Sequence, residues 1–492
     1  MENWQKQLQS WSKMPFIKGL SRRYPKAEIF LVGGAVRDLM LNRPTTDFDF
    51  VVRNVSKNDL QKFLTKHGKV NLVGKRFGVF KFRAKNWTEE EIDIALPRTE
   101  HSLNFTGAYR DFKIKSNAKL KIEDDLSRRD FTINSIAIKI TKSYKLKAKS
   151  LLVDPFGGLN DLKKKIIRTV GKPELRFKED YSRMLRAIRF ACQLNFKVEP
   201  KTWQTLKTKI KNLDKKINGE RVIPYEVIAK ELNKAIIANP VSAIKLLDES
   251  GALKILMPEL LKMKKCPQPK IFHNEGDVWT HTLLALEKLN SPAFKKEFFG
   301  KKISPEVIWG VIYHDLGKPV TMTKTDRIRF HGHETVSQKE FRKTAERLKL
   351  AATGLKVDFA QTIIAKHMLL AQGDVSQMKE TTIEKYFFNP LFPGLDLLML
   401  IFADISATIP KSGRADFSSY QKLKKRINNL KKKGRRPTQL PKPLINGHDL
   451  IKIFKLKAGP KIGELLSTAR EAQLRGKIKS KAEGLNYLKK YL

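Results

Sequence analysis

The sequence predicts an α+β protein, a mixed α/β module at the N-terminus followed by an almost wholly helical remainder. Between about residues 26 and 155, short β-rich runs at 28–32, 48–52, 79–83, 91–96 and 133–140 alternate with helical segments. From about 156 onward the β-branched alternation fades and helical periodicity takes over, as at 181–194, 223–237 and 240–251. At 492 residues the chain is too long for one core and divides into three or four domains, at ~150 residues per domain. Proline-bearing stretches at 258–269 and 434–443 read as boundaries, because proline removes a backbone donor and discourages helix in the residue before it. No internal repeat is visible.

Composition narrows the function classes. The formal net charge is +48, and lysine clusters recur at 142–149, 163–165, 207–216, 422–433 and 477–490. Such a surface suits a polyanion and gives affinity and steering with little sequence specificity, because lysines bind phosphates without reading bases. A lysine-biased proteome would decorate single clusters in the same way. Cys192 and Cys266 are the only cysteines, which argues against a disulfide framework or a cysteine zinc site. There is no apolar run of membrane-spanning length, and residues 1–10 are polar, so a cytoplasmic location away from membranes is expected.

The segment 29–50 carries the strongest chemical signal. An apolar strand (Ile29, Phe30, Leu31, Val32) enters a Gly33-Gly34 turn followed by Arg37, and Asp47 and Asp49 come shortly after. On a strand, residues i and i+2 share a face, so the two aspartates project together while Phe48 and Phe50 turn to the core. Such a pincer suits Mg²⁺, which takes one or two carboxylates and leaves positions for water and phosphates. Asp93, on a third strand, is a candidate third carboxylate for phosphoryl transfer with paired cations, and Glu91 on the same face is its rival.

Further on, the Arg128-Arg129 pair, Asp130 and Asn134 follow one another closely. Guanidinium forks match phosphate oxygens and an amide can meet a sugar hydroxyl, although an exposed arginine pair also suits a solvated face. Residues 154–162 read as a glycine hinge entering a helix. Asp180 and Arg183, three apart, are expected to share a helical face. They form either an ordinary ion pair or a reader of a base's Watson–Crick edge, Arg183 donating to ring acceptors and Asp180 accepting from an exocyclic amine.

In this order and spacing the motifs resemble those of the class II tRNA nucleotidyltransferases (CCA-adding enzymes) and their relatives the bacterial poly(A) polymerases, over roughly residues 26–260. The resemblance implies that Gly33, Gly34 and Arg37 form the nucleotide-binding turn and that Asp47 and Asp49 are metal ligands. It implies that Arg128, Arg129, Asp130 and Asn134 contact triphosphate and sugar, and that Asp180 and Arg183 act as an amino-acid template for CTP and ATP. Arg186 and Arg189 are counted with that nucleotide-binding set, and 220–226 resembles the helical motif that supports the template helix. Residues 98–121, holding Tyr109, Arg110 and Asp111, resemble the loop used in switching from C to A addition, and 72–80 resembles the CCA-adding version of its segment.

A second constellation is histidine-based. Six of the nine histidines (His273, His281, His314, His331, His333, His367) fall within one hundred residues. Imidazole with carboxylate suits Zn²⁺, Mn²⁺, Fe²⁺ or Ni²⁺. The order resembles the HD superfamily of metal-dependent phosphohydrolases over about 270–410. That resemblance implies a core set of His281, His314, Asp315 and Asp404, with His333 and His367 as additional ligands, in a module that is either hydrolytic or a scaffold for tRNA. The C-terminal part resembles the helical tail of some family members.

The expected architecture is therefore a nucleotidyltransferase palm (1–155), a helical neck (156–262), an HD domain (263–425) and a helical tRNA-binding tail (426–492). The expected activity is template-independent addition of C, C and A to tRNA from CTP and ATP with Mg²⁺. The open alternatives are a poly(A) polymerase, a CC-adding or A-adding enzyme, and an RNA-binding protein whose HD module alone is active.

Overall fold

Alternating apolar residues build one sheet, and the ends of its strands carry the acids singled out above. The computed structural model describes residues 11, 13–45, 47–73, 79–85, 91–102, 106–107, 112–140, 151–371, 373–432, 442–456, 459–474 and 477–491. Its contacts sort into two units, one of 1–258 with 347–353 and one of 259–346 with 354–492. The lysine cluster at 142–149, the segment 74–78, residues Tyr109, Arg110 and Asp111, and the proline stretch at 434–441 lie outside the described residues.

In the first unit, helix α1 (Pro15–Arg23), strand β1 (Glu28–Val32), helix α2 (Gly34–Met40), strand β2 (Asp49–Arg53) and helix α3 (Lys57–His67) are followed by β3 (Gly68–Val73), β4 (Val79–Ala84) and β5 (Ile92–Ala95). A hairpin of β6 (Arg98–Ser102) and β7 (Phe112–Ser116), helix α4 (Ile122–Ser127), and strands β8 (Ala137–Ile140) and β9 (Leu152–Val153) complete this part. Seven strands form one sheet in the order β3-β4-β5-β2-β1-β8-β9. Its neighbours are antiparallel except β2 and β5, which run parallel. Phe50 and Phe82 are fully buried and meet Phe16 of α1 edge-on at 6.1 and 5.4 Å, so the residue after Asp49 fastens β2 to the core.

Two expectations are corrected. The segment 98–121 is not a simple loop, because 98–102 and 112–116 pair in antiparallel register from Arg98–Ser116 to Ser102–Phe112. The strand expected at 133–140 begins only at Ala137, and residues 132–134 form a 3₁₀ turn. Side chains divert the backbone there: Asp130 Oδ1 accepts from Phe131 N (2.8 Å) and Asn134 Nδ2 (3.2 Å), and Ser135 Oγ donates to the Phe131 carbonyl at 3.0 Å.

The rest of the unit is largely helical, with α5 (Gly158–Lys164), α6 (Pro173–Glu179), α7 (Ser182–Leu194), α8 (Pro200–Lys209), α9 (Tyr225–Ala238) and α10 (Pro240–Glu249). Helix α7 is buried along most of its length and packs on α9. Across that seam Arg189 Nε donates to Glu231 Oε2 at 2.6 Å, and Arg186 Nη1 lies 3.6 Å from Glu231 Oε1.

The second unit is helical: α11 (Val278–Lys288), α12 (Pro292–Glu297), α13 (Pro305–Tyr313), α14 (His333–Arg347), α15 (Val357–Lys366), α16 (Glu380–Phe387), α17 (Gly394–Ala407), α18 (Ser418–Lys432), α19 (Gly447–Phe454), α20 (Pro460–Leu474) and α21 (Lys481–Leu488). Helices α11, α13, α15 and α17 pack on one another. Trp309 and Tyr313 of α13 lie fully buried against Phe341 of α14. A separate apolar cluster (Ile445, Leu450, Ile462, Leu465, Ile478, Leu488) closes the C-terminal helices. Among the described residues no helix is long and apolar enough to cross a membrane.

Glu231→Ala would leave the buried Arg189 guanidinium without its carboxylate. The expected loss is about 3 kcal/mol of stability, read as a lower denaturant midpoint at unchanged slope.

Candidate functional sites

Strand register assembles the first site. Val32 pairs with Asp49 across β1 and β2, and Asp49 pairs with Asp93 across the parallel β2 and β5, so the end of β1 and two carboxylates meet at one end of the sheet's central strands. Asp47 is exposed, Phe48 buried, Asp49 half-buried and Phe50 buried, the alternation a strand face requires. Gly33 takes φ +75°, and a Cβ there would lie 2.8 Å from Arg129 Nη1 and 3.3 Å from Asp49 Oδ2, so the turn needs glycine both for its backbone and for this close approach. Gly34 opens α2. Glu91, the rival third acid, precedes β5 and accepts from Lys81 at 2.8 Å, while Asp93 lies 3.5 Å from the same amine.

Burial pushes the Asp49 carboxyl up to about 6; Arg129 opposes this, and Asp47, Asp93 and Asp125 add to it. Burial also raises Asp93. Acids that raise one another where Asp47 is exposed and Asp49 half-buried form a donor set for a hard cation with room left for phosphate oxygens. Among the described residues, the groups of three or more whose ligand atoms all close to within 4.8 Å lie in the second unit.

The arginines are held from behind by acids. The fully buried Asp125 takes Arg128 through Nε and Nη2 on Oδ1 (3.0 and 2.8 Å) and Arg129 Nη2 on Oδ2 (3.2 Å). Arg37 forks onto Asp38 at 2.9 and 2.8 Å and donates to Asn134 Oδ1 at 2.9 Å. Asp130 takes Arg186 through Nε and Nη2 on one oxygen, at 2.8 and 2.6 Å. Burial alone would raise the Asp130 carboxyl, but Arg186 holds it down to about 2.

The reading of Asp180 and Arg183 needs correction. They do not share a helical face, because α7 begins at Ser182 and Asp180 is extended at φ −149°, ψ 106°. Asp180 Oδ1 accepts from Ser182 N at 2.8 Å, and burial raises its carboxyl. Arg183 Nη1 donates to Glu179 Oε2 at 2.6 Å, and Nη2 to the Arg128 carbonyl at 3.4 Å, so Arg183 adjoins the arginine pair. Arg189 is buried and spent on Glu231 and Gln193. At the hairpin, Gly107 (φ +85°) accepts from Tyr181 N at 3.1 Å, and a side chain there would overlap the Tyr181 ring. Asp125, Glu179 and Glu231 escaped the sequence reading. The first two lie one turn from the arginines they hold, a usable signal, whereas Glu231 is distant in sequence.

The second site is buried at His281, His314, Asp315, His333 and His367, with Asp404 partly exposed. His281 Nδ1 faces Glu275 Oε1 at 2.8 Å, and the Nδ1 atoms of His314, His333 and His367 face the carbonyls of Val311, Phe330 and Ile364 at 2.8, 2.8 and 2.7 Å. A ring nitrogen on a carbonyl carries the proton, so these contacts leave Nε2 as the lone-pair atom. The Nε2 atoms converge on two carboxylates: His281 on Asp404 at 3.0 Å, His314 on Asp315 Oδ2 at 3.3 Å, and His333 on Asp315 Oδ1 at 3.3 Å and on His367 Nε2 at 3.1 Å. Asp315 Oδ2 is buried between His314 Nε2 at 3.3 Å and the Lys318 ammonium at 2.7 Å. The carboxylates that would face a cation also draw a proton onto His314 Nε2: against the effect of burial, Asp315 and Asp404 pull His314 up to about 10, whereas burial, His314 and His333 push His367 down to about 3. Ring nitrogens and carboxylate oxygens that close to within 4.8 Å of one another fit a borderline divalent cation. Of the remaining candidates, His331 is exposed and His273 sits on Glu275 at 2.7 Å beside the cluster. Glu275 and Lys318, whose Nζ lies 2.7 Å from Asp315, were missed.

Comparison with known proteins gives four family matches: Poly A polymerase head domain (29–168), Probable RNA and SrmB-binding site of polymerase A (195–264), HD domain (278–391) and a putative tRNA nucleotidyltransferase domain 2 (399–487). The chain is 30% identical over 377 residues to an A-adding tRNA nucleotidyltransferase of Deinococcus radiodurans, covering 75% of this chain and 79% of that one. It is 32% identical over 358 residues to a Multifunctional CCA protein of Neisseria meningitidis, covering 72% and 76%. Its fold matches the Bacillus stearothermophilus CCA-adding enzyme in complex with CTP (TM-score 0.61, 22% identity, 100% of this chain and 98% of that one). It also matches the Thermotoga maritima CCA-adding enzyme complexed with tRNA-CCA (TM-score 0.54, 22% identity, 98% and 97%).

Two outcomes are expected. Because Asp130 is held at about 2 against an ordinary 3.8, the unfolded chain protonates first as pH falls. Its contribution of about 2 kcal/mol is present above the ordinary value and lost as pH drops through the folded one, so Asp130→Asn should flatten acid destabilisation in urea titrations across that window. Ni²⁺, Mn²⁺ or Zn²⁺ should raise the melting temperature of the wild type but not of Asp315→Ala, with bound metal read by elemental analysis.

Proposed function

We propose that this chain, which belongs to the class II tRNA nucleotidyltransferases with a poly(A)-polymerase head, an RNA-binding neck and an HD domain, adds C, C and A to tRNA 3′ ends from CTP and ATP and releases pyrophosphate. The observation that carries the reading is the β1-β2-β5 register, which sets Asp49 beside Asp93 at the Gly33 turn with Arg129 against it. In the reaction the terminal 3′-hydroxyl attacks the α-phosphorus, a P–O bond forms and the bond to pyrophosphate breaks. Asp47, Asp49 and Asp93 would hold Mg²⁺, which supplies positive charge to the triphosphate and the attacking oxygen.

The remaining work falls to side chains fixed in advance. Arg128 and Arg129, clamped by Asp125, and Arg37, clamped by Asp38 and Asn134, meet the triphosphate without having to be ordered first. Asp130 and Asn134 set the sugar contact. Asp180 keeps Oδ2 for the exocyclic amine that cytosine and adenine share, and Arg183, steadied by Glu179, donates to the ring nitrogen. Uracil and guanine place a carbonyl oxygen against Asp180 and are refused. A protein reader of this kind needs no template strand.

In the HD unit, His281, His314, Asp315, His333, His367 and Asp404 would hold a transition metal such as Ni²⁺, Mn²⁺, Zn²⁺ or Fe²⁺, which activates water toward a phosphoester. Glu275 orients His281, and the Val311, Phe330 and Ile364 carbonyls orient the other rings. The fitting substrates are 2′,3′-cyclic phosphates and 2′-phosphates that block extension of an RNA end.

The A-adding relative supports a second reading, addition of A alone, and one experiment separates the two. Gel-resolved incorporation on tRNA lacking CCA should give growth by two with CTP and by three with both nucleotides in Mg²⁺. Growth only on tRNA already ending in CC means A addition, and unlimited growth with ATP means a poly(A) polymerase. Asp47→Ala and Asp49→Ala should each slow incorporation by a factor on the order of 10³ while tRNA binding persists. Asp180→Asn, which keeps an oxygen for Ser182 N and adds a donor, should erode preference for CTP and ATP over UTP and GTP by about tenfold in kcat/KM.

A further inference from the structure

Phe299 is 88% exposed, the most exposed of the large apolar side chains among the described residues. Its neighbours already fill the core, since Phe294 and Phe298 are buried and pack on Phe402 at 5.9 and 5.6 Å. Phe299 therefore stands outward at a turn that the left-handed Gly300 (φ +72°) completes. Lys295, Lys296, Lys301 and Lys302 flank it and are exposed. The acid of this stretch, Glu297, is taken by Tyr420 OH at 2.9 Å and Lys424 Nζ at 2.6 Å, both on α18. These two bonds tie the turn to α18, which buries Tyr420, Leu423, Ile427 and Leu430 and turns lysines such as Lys422 and Lys425 to solvent.

We propose that this face of the HD unit docks RNA, Phe299 stacking on an unpaired base while the flanking lysines hold the adjoining phosphates. Every base offers a π-face, so an aromatic set among cations binds unpaired nucleotides without reading sequence. Charge complementarity favours RNA over a lipid surface: an interfacial helix needs an apolar outward face, and the outward face of α18 is lysine-rich. The partner's identity as tRNA rests on the activity proposed above.

The test uses the full-length protein and tRNA lacking CCA, with dissociation constants measured across a salt series and addition measured separately at saturating tRNA. Phe299→Ala should weaken binding at least about fivefold with an unchanged salt slope, and Phe299→Trp should restore it. Replacing Lys295, Lys296, Lys301 and Lys302 by Ala should flatten the slope by roughly 0.7 to 0.9 for each phosphate no longer neutralised. Addition at saturating tRNA should stay at the wild-type rate in all variants. Unchanged affinity and slope in both the Ala and the four-lysine variants would overturn the proposal. So would wild-type binding to vesicles of anionic phospholipid that Phe299→Ala abolishes while tRNA binding is kept. Failure of the polymerase reading would appear differently, as wild-type tRNA binding without addition.

Discussion

The head depends on a register that its core enforces. Asp49 stands beside Asp93 because Phe50, one residue on, is buried edge-on against Phe16. A slip of one residue would turn the phenylalanines to water and the aspartates inward, costing roughly 2 to 3 kcal/mol for each phenylalanine exposed before any charge is buried. Apolar packing thus holds together carboxylates that repel one another, and the cost shows as an Asp49 carboxyl pushed up to about 6. Gly33 belongs to the same constraint, because only a residue without a side chain lets Arg129 approach Asp49 closely enough to offset that repulsion.

A second layer of acids fixes the cations. Asp125 behind Arg128 and Arg129, Asp38 behind Arg37, Asp130 behind Arg186, Glu179 behind Arg183 and Glu231 behind Arg189 are successive uses of one device. A guanidinium gripped in this way is held in one orientation, with its rotamer entropy already spent. In the HD unit the acceptors are carbonyls and Glu275, and what they fix is which ring nitrogen keeps its lone pair. Both units therefore fix their arginines and histidines through neighbouring acids and carbonyls.

How much of this could be read in the sequence follows from the range of each interaction. The sheet strands near 28–32, 48–52, 79–83 and 91–96 and the Asp47-Asp49 face follow from period-two alternation. The paired arginines and the His314-Asp315 motif are contiguous, and the resemblance to known motifs supplied their roles. Spacing alone misled at Asp180, because an i, i+3 rule presumes both residues are already in the helix and α7 starts two residues later. The 3₁₀ turn at 132–134 was hidden because Asp130 and Asn134 satisfy backbone locally where apolar alternation suggests a strand. The β6-β7 hairpin, Glu231 against Arg189, and the sorting of His333 inward and His331 outward depend on distant partners that a linear pattern does not contain.

The net charge of +48 is distributed by residue type. Among the described residues of the first unit the buried cations are arginines, Arg183 and Arg189, each facing a carboxylate; lysine occupies the surface, with Lys318 at the HD cluster a buried exception. Arginine's fork satisfies a carboxylate with less entropy lost per bond, whereas a lysine ammonium is strongly hydrated and prefers water. Spending many acids on internal arginines and histidines leaves the exterior lysines with few carboxylates to answer them. In the arginine pairs each acid turned inward is matched by an arginine turned inward with it, so these pairs cancel and the surplus of +48 is left to the exterior lysines, which is the positive field a polyanion meets.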